Sequence, residues 1–150
     1  MHIEIDQSGK IEHTSRTTVI AYANGSSMSL RISASEKQKL IRTMKENRHP
    51  KTTYVYTIFA TLIFMLLCTM RTASAANVTI DKEYPGKEPT IKNFLLQLYR
   101  KERRKPPAIR FDAIGKKSPA HKTALAVFQN KKRADVVVTA REVLGVLYAK

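Results

Sequence analysis

Apolar and polar positions alternate at the start of the chain and again in its middle, and they recur with helical spacing elsewhere. Residues 2–6 alternate as a strand does. Thr17 to Ala23 is β-branched and aromatic and predicts a second strand, and Asn24-Gly25 is a hairpin turn signal. Met28 to Ile32 is the returning strand. Ser33-Ala34-Ser35-Glu36 offers a capping box, with Ser35 and Gln38 as a second register, for a polar helix to about Asn47. Pro50 stops that helix. An apolar helix follows over about 51–71, then a strand over 77–83.

Pro89 suits a first helical turn, and Ile91, Phe94, Leu95 and Leu98 then form one apolar face. Pro106-Pro107 ends that helix. Ala108 to Ile114 reads as a strand closed by Gly115. Ser118-Pro119 is an N-cap followed by an N1 proline, opening a helix through His121, Ala124, Leu125 and Phe128. Asp135 to Val138 is a short strand, and Thr139 to Glu142 is a capping box for a last helix to Tyr148. Three strands in succession, then helix and strand in alternation, predict an α/β fold: one mixed sheet with helices on both faces. At 150 residues the simplest organisation is a single domain, 1–150.

Charge changes the picture. The chain holds 27 Lys and Arg against 12 Asp and Glu, a formal net charge of +15. Residues 84–134 hold 14 of the basic side chains against three acids, Glu88, Glu102 and Asp112. A field so one-sided favours phosphate-rich partners, nucleic acid above all, or an anionic membrane surface. The run Arg100, Lys101, Arg103, Arg104, Lys105 and the pair Lys116-Lys117 before a helix N-terminus are the candidate phosphate contacts. Thr52 to Met70 is 19 residues without a charge, long enough to cross a bilayer. Its Thr-rich first half and the folded sequence on both sides predict a buried helix instead, with Phe59, Leu62, Ile63 and Leu66 in the core. The single cysteine, Cys68, allows no intrachain disulfide and fits a reducing, cytoplasmic compartment; a membrane location is the alternative.

In so basic a chain, acids at strand ends draw attention. Ile3-Glu4-Ile5-Asp6 precedes Gln7-Ser8-Gly9, and Ile80-Asp81-Lys82-Glu83 precedes Tyr84-Pro85-Gly86. Alternation puts Asp81 and Glu83 on one face of an extended strand. Two strands each ending in Asp can hold a divalent ion between them, and hard carboxylate oxygens suit Mg²⁺ or Mn²⁺. No Gly-rich phosphate loop, zinc spacing or nucleophile elbow occurs in the sequence.

The order βββαβαβα, with the phrases Ile5-Asp6-Gln7-Ser8-Gly9, Ile80-Asp81-Lys82-Glu83-Tyr84 and Ile114 to His121, resembles the ribonuclease H-like superfamily. That resemblance implies a metal-dependent nuclease with an acid on strand one, an acid on a helix, an acid on strand four, and an acid or histidine near the last helix. Asp6 and Asp81 match the two strand acids, and the last position falls to His121 or to Asp135; Glu83 either supplements Asp81 or pairs with a lysine. The helix acid has no match: 51–71 holds no acid, and in 34–48 Glu36 is near while Lys39 takes the better-fitting position. Two readings follow, a metal-dependent nuclease, or a nucleic-acid-binding protein with a degenerate metal site. A basic protein anchored in the membrane through 52–70 is the third.

Overall fold

The computed structural model describes residues 2–70 and 77–149. Its elements are β1 (His2–Ser8), β2 (Thr18–Asn24), β3 (Ser26–Ile32), α1 (Ala34–Glu46), α2 (Tyr54–Leu67), β4 (Asn77–Asp81), α3 (Glu88–Lys101), β5 (Ala108–Asp112), α4 (Pro119–Phe128), β6 (Val136–Val138) and α5 (Ala140–Leu147). The strands form one mixed sheet in the order β5-β4-β1-β2-β3-β6. β2 runs antiparallel to both its neighbours, and the other pairings are parallel. The fold is α/β, as the element order predicts.

Alternation divides the side chains between two faces. Ile3, Ile5, Ile20, Tyr22, Leu30, Ile32, Val78 and Ile80 enter the larger core, where α1, α2, α3 and α5 add Leu40, Leu62, Leu95 and Val143. The other face carries Val19 and Ala21, small enough for α4 to approach closely through Ala124 and Val127. Helices therefore cover both faces.

The predicted caps are largely present. Ser33 Oγ accepts from Glu36 N, Ser118 Oγ accepts from Ala120 N, and Thr139 with Glu142 completes a capping box. At α1 the reciprocal half of the box is missing, because the Glu36 carboxylate accepts from Ala140 N at 2.9 Å and from Lys39 Nζ at 3.0 Å.

The apolar run is a core helix of 14 residues, about 21 Å long and short of a bilayer's ~30 Å. Phe59, Leu62, Ile63 and Leu66 are buried, as predicted. The buried hydroxyls of Thr57 and Thr61 donate to the carbonyls of Thr53 and Thr57 four residues back, so the helix satisfies them itself. Among the described residues no helix is long and apolar enough to cross a membrane.

Two strand ends differ from expectation. β1 continues to Ser8 because β2 pairs with it as far as Ser8↔Val19, so Asp6 lies inside the strand and not at its tip. β4 stops at Asp81, so Glu83 is not on a strand at all.

A buried lysine ties the β1–β2 loop to the fold. Lys37 of α1 is fully buried. Its Nζ donates to Lys10 O (3.1 Å), Ile11 O (3.4 Å), His13 O (2.8 Å) and Thr18 Oγ1 (3.0 Å). Burial pulls its pKa down to about 8. The loop starts at Gly9, with φ 77°; a Cβ there would sit 2.2 Å from Thr17 O and 2.5 Å from the Phe128 ring. Replacing Lys37 with Met is expected to leave the loop carbonyls unmet and to cost about 2–4 kcal/mol in urea unfolding. A loss below about 1 kcal/mol would show that water serves those carbonyls as well.

Candidate functional site

The register of β1 and β4 builds the site. Ile5 pairs with Ile80, which makes Asp6 and Asp81 the next residues on adjacent parallel strands, both turned toward the α4 face. Asp6 is only 4% exposed. Beyond Asp81 the chain turns tightly, and Glu83 N donates to Asp81 O at 2.8 Å. That turn, not strand alternation, returns the Glu83 carboxylate to Asp81. Asp6, Asp81 and Glu83 each offer an oxygen within 4.8 Å of the others.

His121 joins them from the first turn of α4, with Nδ1 2.6 Å from Asp6 Oδ2. Two contacts fix this end of the helix. Ser118 caps it and donates its Oγ to Glu4 Oε1 at 3.0 Å, and Ile114 N donates to Asp81 Oδ1 at 2.9 Å. Sequence reasoning passed over Glu4; its place two residues before Asp6, on the same face, was the available signal. Lys116 and Lys117 lie on the loop between these two anchors.

Crowded carboxylates perturb one another. Burial raises the Asp6 pKa, against the lowering pull of the His121 hydrogen bond. Glu83 is pushed up to about 7, first by burial and then by the charges of Asp6 and Asp81, with Lys10 offsetting part of it. Among the described residues no Lys or Arg forms a salt bridge with any of the three acids. Three such oxygens suit a hard divalent cation, and His121 stands beside them as a further ligand or as the orienting partner of Asp6.

The remaining candidates lie elsewhere. Asp135, left open as the alternative to His121, spends its carboxylate on β3: Oδ2 accepts from Ser29 N (2.8 Å) and Ser29 Oγ (3.2 Å). Ser29 pairs with Ala21 and Ala21 with Asp6, so about two strand spacings, ~10 Å, separate Asp135's anchor from Asp6. Asp135 fastens β6 to the sheet and is not part of the acid cluster.

The run Arg100, Lys101, Arg103, Arg104, Lys105 ends α3, which packs on α2 across the sheet from α4. That helix runs back from the Asp81 end of the sheet for about 21 Å. Lys101 Nζ donates to Leu147 O (3.0 Å), and Arg104 Nη1 to Cys68 Sγ (2.7 Å). Of the predicted phosphate contacts, Lys116 and Lys117 lie on the loop anchored at Asp81 and Glu4, whereas the 100–105 run lies at the far end of α3. Comparison of the chain with protein families, with curated proteins and with solved structures finds no match in any of the three.

The Glu83 pKa sets a pH dependence. It stands near 4.5 in the unfolded chain and about 7 in the folded one, so the folded state binds more protons between these values. Stability of the metal-free protein is expected to fall as pH rises from about 4.5 to about 7 and to level off above. Urea unfolding across that window, with Glu83→Gln alongside, checks it. The substitution should flatten the slope, and an unchanged slope would assign it to other groups. Affinity for Mn²⁺ should rise over the same range, because ligation needs the carboxylate free of its proton.

Proposed function

We propose that the protein acts on nucleic acid as a divalent-metal-dependent phosphodiester hydrolase of ribonuclease H-like type. The observation that carries this reading is the convergence of Asp6, Asp81 and Glu83 with His121 on Asp6, in a chain of formal charge +15. The acid of the first strand, the acid of the fourth and a histidine on a later helix are the positions the resemblance requires. The parallel β1–β4 pairing supports it, because those two acids must be neighbours.

The residues present fit Mg²⁺ or Mn²⁺: Asp6, Asp81 and Glu83 supply the oxygens. A bound ion would polarise the scissile phosphate and lower the pKa of a water beside it. The chain's own residues do the rest. With Asp6 ionised, His121 donates Nδ1–H to it, which fixes the ring and leaves Nε2 to accept or give up a proton at the substrate. Lys116 and Lys117 hold the flanking phosphates. Glu83 takes the part of the third carboxylate, which the resemblance places on a helix.

That substitution of one acid for another supports a second reading. Neither helix after β3 sends an acid toward the site. Glu36 is engaged by Ala140 and Lys39, Lys37 is turned into the β1–β2 loop, and α2 holds no acid. On this reading the protein binds nucleic acid without cleaving it.

Cleavage of single-stranded, double-stranded and hybrid substrates with Mg²⁺ or Mn²⁺ separates the two. Hydrolysis requires that Asp6→Asn and Asp81→Asn each lower cleavage by at least about 100-fold, more than loss of an outer contact costs, while binding is retained. Cleavage that survives both substitutions would place the activity elsewhere, and none by the unaltered protein on any substrate would leave binding alone. Lys116→Glu with Lys117→Glu is expected to weaken binding of all sequences alike and to flatten its salt dependence, read by anisotropy titration at several salt concentrations.

A further inference from the structure

A second cationic site lies at the far end of α4. Arg31 of β3, the turn 130–134 and Val137 of β6 line a cleft of about 490 Å³. Its charged lining is Arg31, Lys131, Lys132 and Arg133, with no acid among the lining residues. Asp135 lies next in sequence, but its carboxylate is held by Ser29.

The cleft is built and not merely a basic surface. Asn130 has φ 60°, and Asn130 N and Lys131 N return to the carbonyls of Val127 (3.1 Å) and Ala126 (2.8 Å), which closes α4 and fixes the start of the turn. Lys132 Nζ donates to Ser27 Oγ at 3.1 Å, tying the turn to β3. Arg31 pairs in register with Val137, so the two side chains stand on the same face. The Nε of Arg31 is buried and, among the described residues, has no hydrogen-bond partner. A buried guanidinium N–H without an acceptor is costly unless a ligand supplies one. A planar fork with three further cations around it suits a phosphate oxyanion.

We propose that this cleft binds a phosphate of the nucleic-acid backbone, on the same strand that reaches the acid cluster. The inference rests on the nucleic-acid reading above for the source of the phosphate. Alternation places Asp6 and Arg31 on one face of the sheet, the face that α4 covers. α4 carries His121 in its first turn and ends at the cleft, and its 10 residues span about 15 Å. A strand held at both ends is fixed in register several nucleotides from the acids, with Lys116 and Lys117 at the near end.

The test uses the full chain, a short labelled single-stranded oligonucleotide and EDTA, so that binding is read without metal. Arg31→Gln is expected to weaken binding about tenfold or more. Replacing Lys131, Lys132 and Arg133 together with Ser should do the same and make the salt slope shallower by about 2. In ¹⁵N spectra the Arg31 Nε–H resonance should shift on adding oligonucleotide. Wild-type affinity in both cleft variants overturns the proposal; if Arg31→Gln fails to fold, the triple variant decides. Vesicles of neutral and anionic lipid form a second arm, and variants that lose vesicle binding but keep oligonucleotide affinity also overturn it. The two readings fail separately. Cleavage lost in Asp6→Asn with Arg31-independent binding sinks the cleft alone, and Arg31-dependent binding without any cleavage sinks hydrolysis alone.

Discussion

The parallel pairing of β1 with β4 is the constraint on which the rest depends. Ile5 and Ile80 meet in the larger core, and the same register sends Asp6 and Asp81 to the opposite face as neighbours. Because strand periodicity is two, a slip of one residue would bury the acids among Leu, Ile and Phe and expose the isoleucines. The hydrophobic effect that places the isoleucines therefore also places the carboxylates, with no separate device. What remains to be positioned is the third acid and the histidine, and each has its own anchor.

Glu83 is held by what its neighbour does. Tyr84 is buried, with its ring edge-on to Phe59 (5.2 Å) and Tyr56 (5.5 Å) from α2. Its hydroxyl accepts from Gln7 Nε2 and Ile11 N and donates to Glu12 Oε1. The turn after β4 is thus fastened to the end of β1 and to the loop beyond it. That loop is in turn clamped by Lys37. A ring against α2 and a lysine from α1 let the two helices after β3 support the site without contributing an acid to it. His121 is fixed from the other side, through Ser118 on Glu4 and the close approach of α4 over Val19 and Ala21.

Much of this was legible because it is local. Strand alternation, the Asn24-Gly25 hairpin, and the caps at Ser118 and Thr139 are settled by neighbours within a few residues, and so were read to within a residue or two. The burial of Phe59, Leu62 and Ile63 was legible from the Thr residues that shorten the apolar run. Less local features were not. The length of β1 depends on where β2 pairs with it, which alternation alone does not reveal, so the local pattern ends the strand at Asp6. Glu83 reached its place by a turn that no alternation pattern encodes. Choosing between His121 and Asp135 required the strand order, since 14 positions in sequence became opposite sides of β2. The basic run at 100–105 read as one surface with Lys116 and Lys117, and only the direction of α3 separates them. Arg31 gave no signal, because one arginine in a strand is ordinary until its Nε–H is seen to be buried.

Among the described residues the acid cluster forms no salt bridge with a Lys or Arg. With 27 Lys and Arg available, pairing each buried carboxylate with a cation would have been the simple way to stabilise it. Instead Asp6 meets His121 and the backbone N–H of Gln7, Asp81 meets the backbone N–H of Ile114, and Glu83 faces the other two acids with Lys10 only moderating their charge. The lysine that moderates the cluster is Lys10, whose charge offsets part of the rise at Glu83 without forming a salt bridge. Burial and the charges of Asp6 and Asp81 then push the Glu83 pKa up to about 7. A bound cation would satisfy this arrangement, and a resident lysine would close it. On the function proposed above, the carboxylates at one end of α4 and the unmet Arg31 Nε–H at the other would take a metal ion and a phosphate of one nucleic-acid ligand.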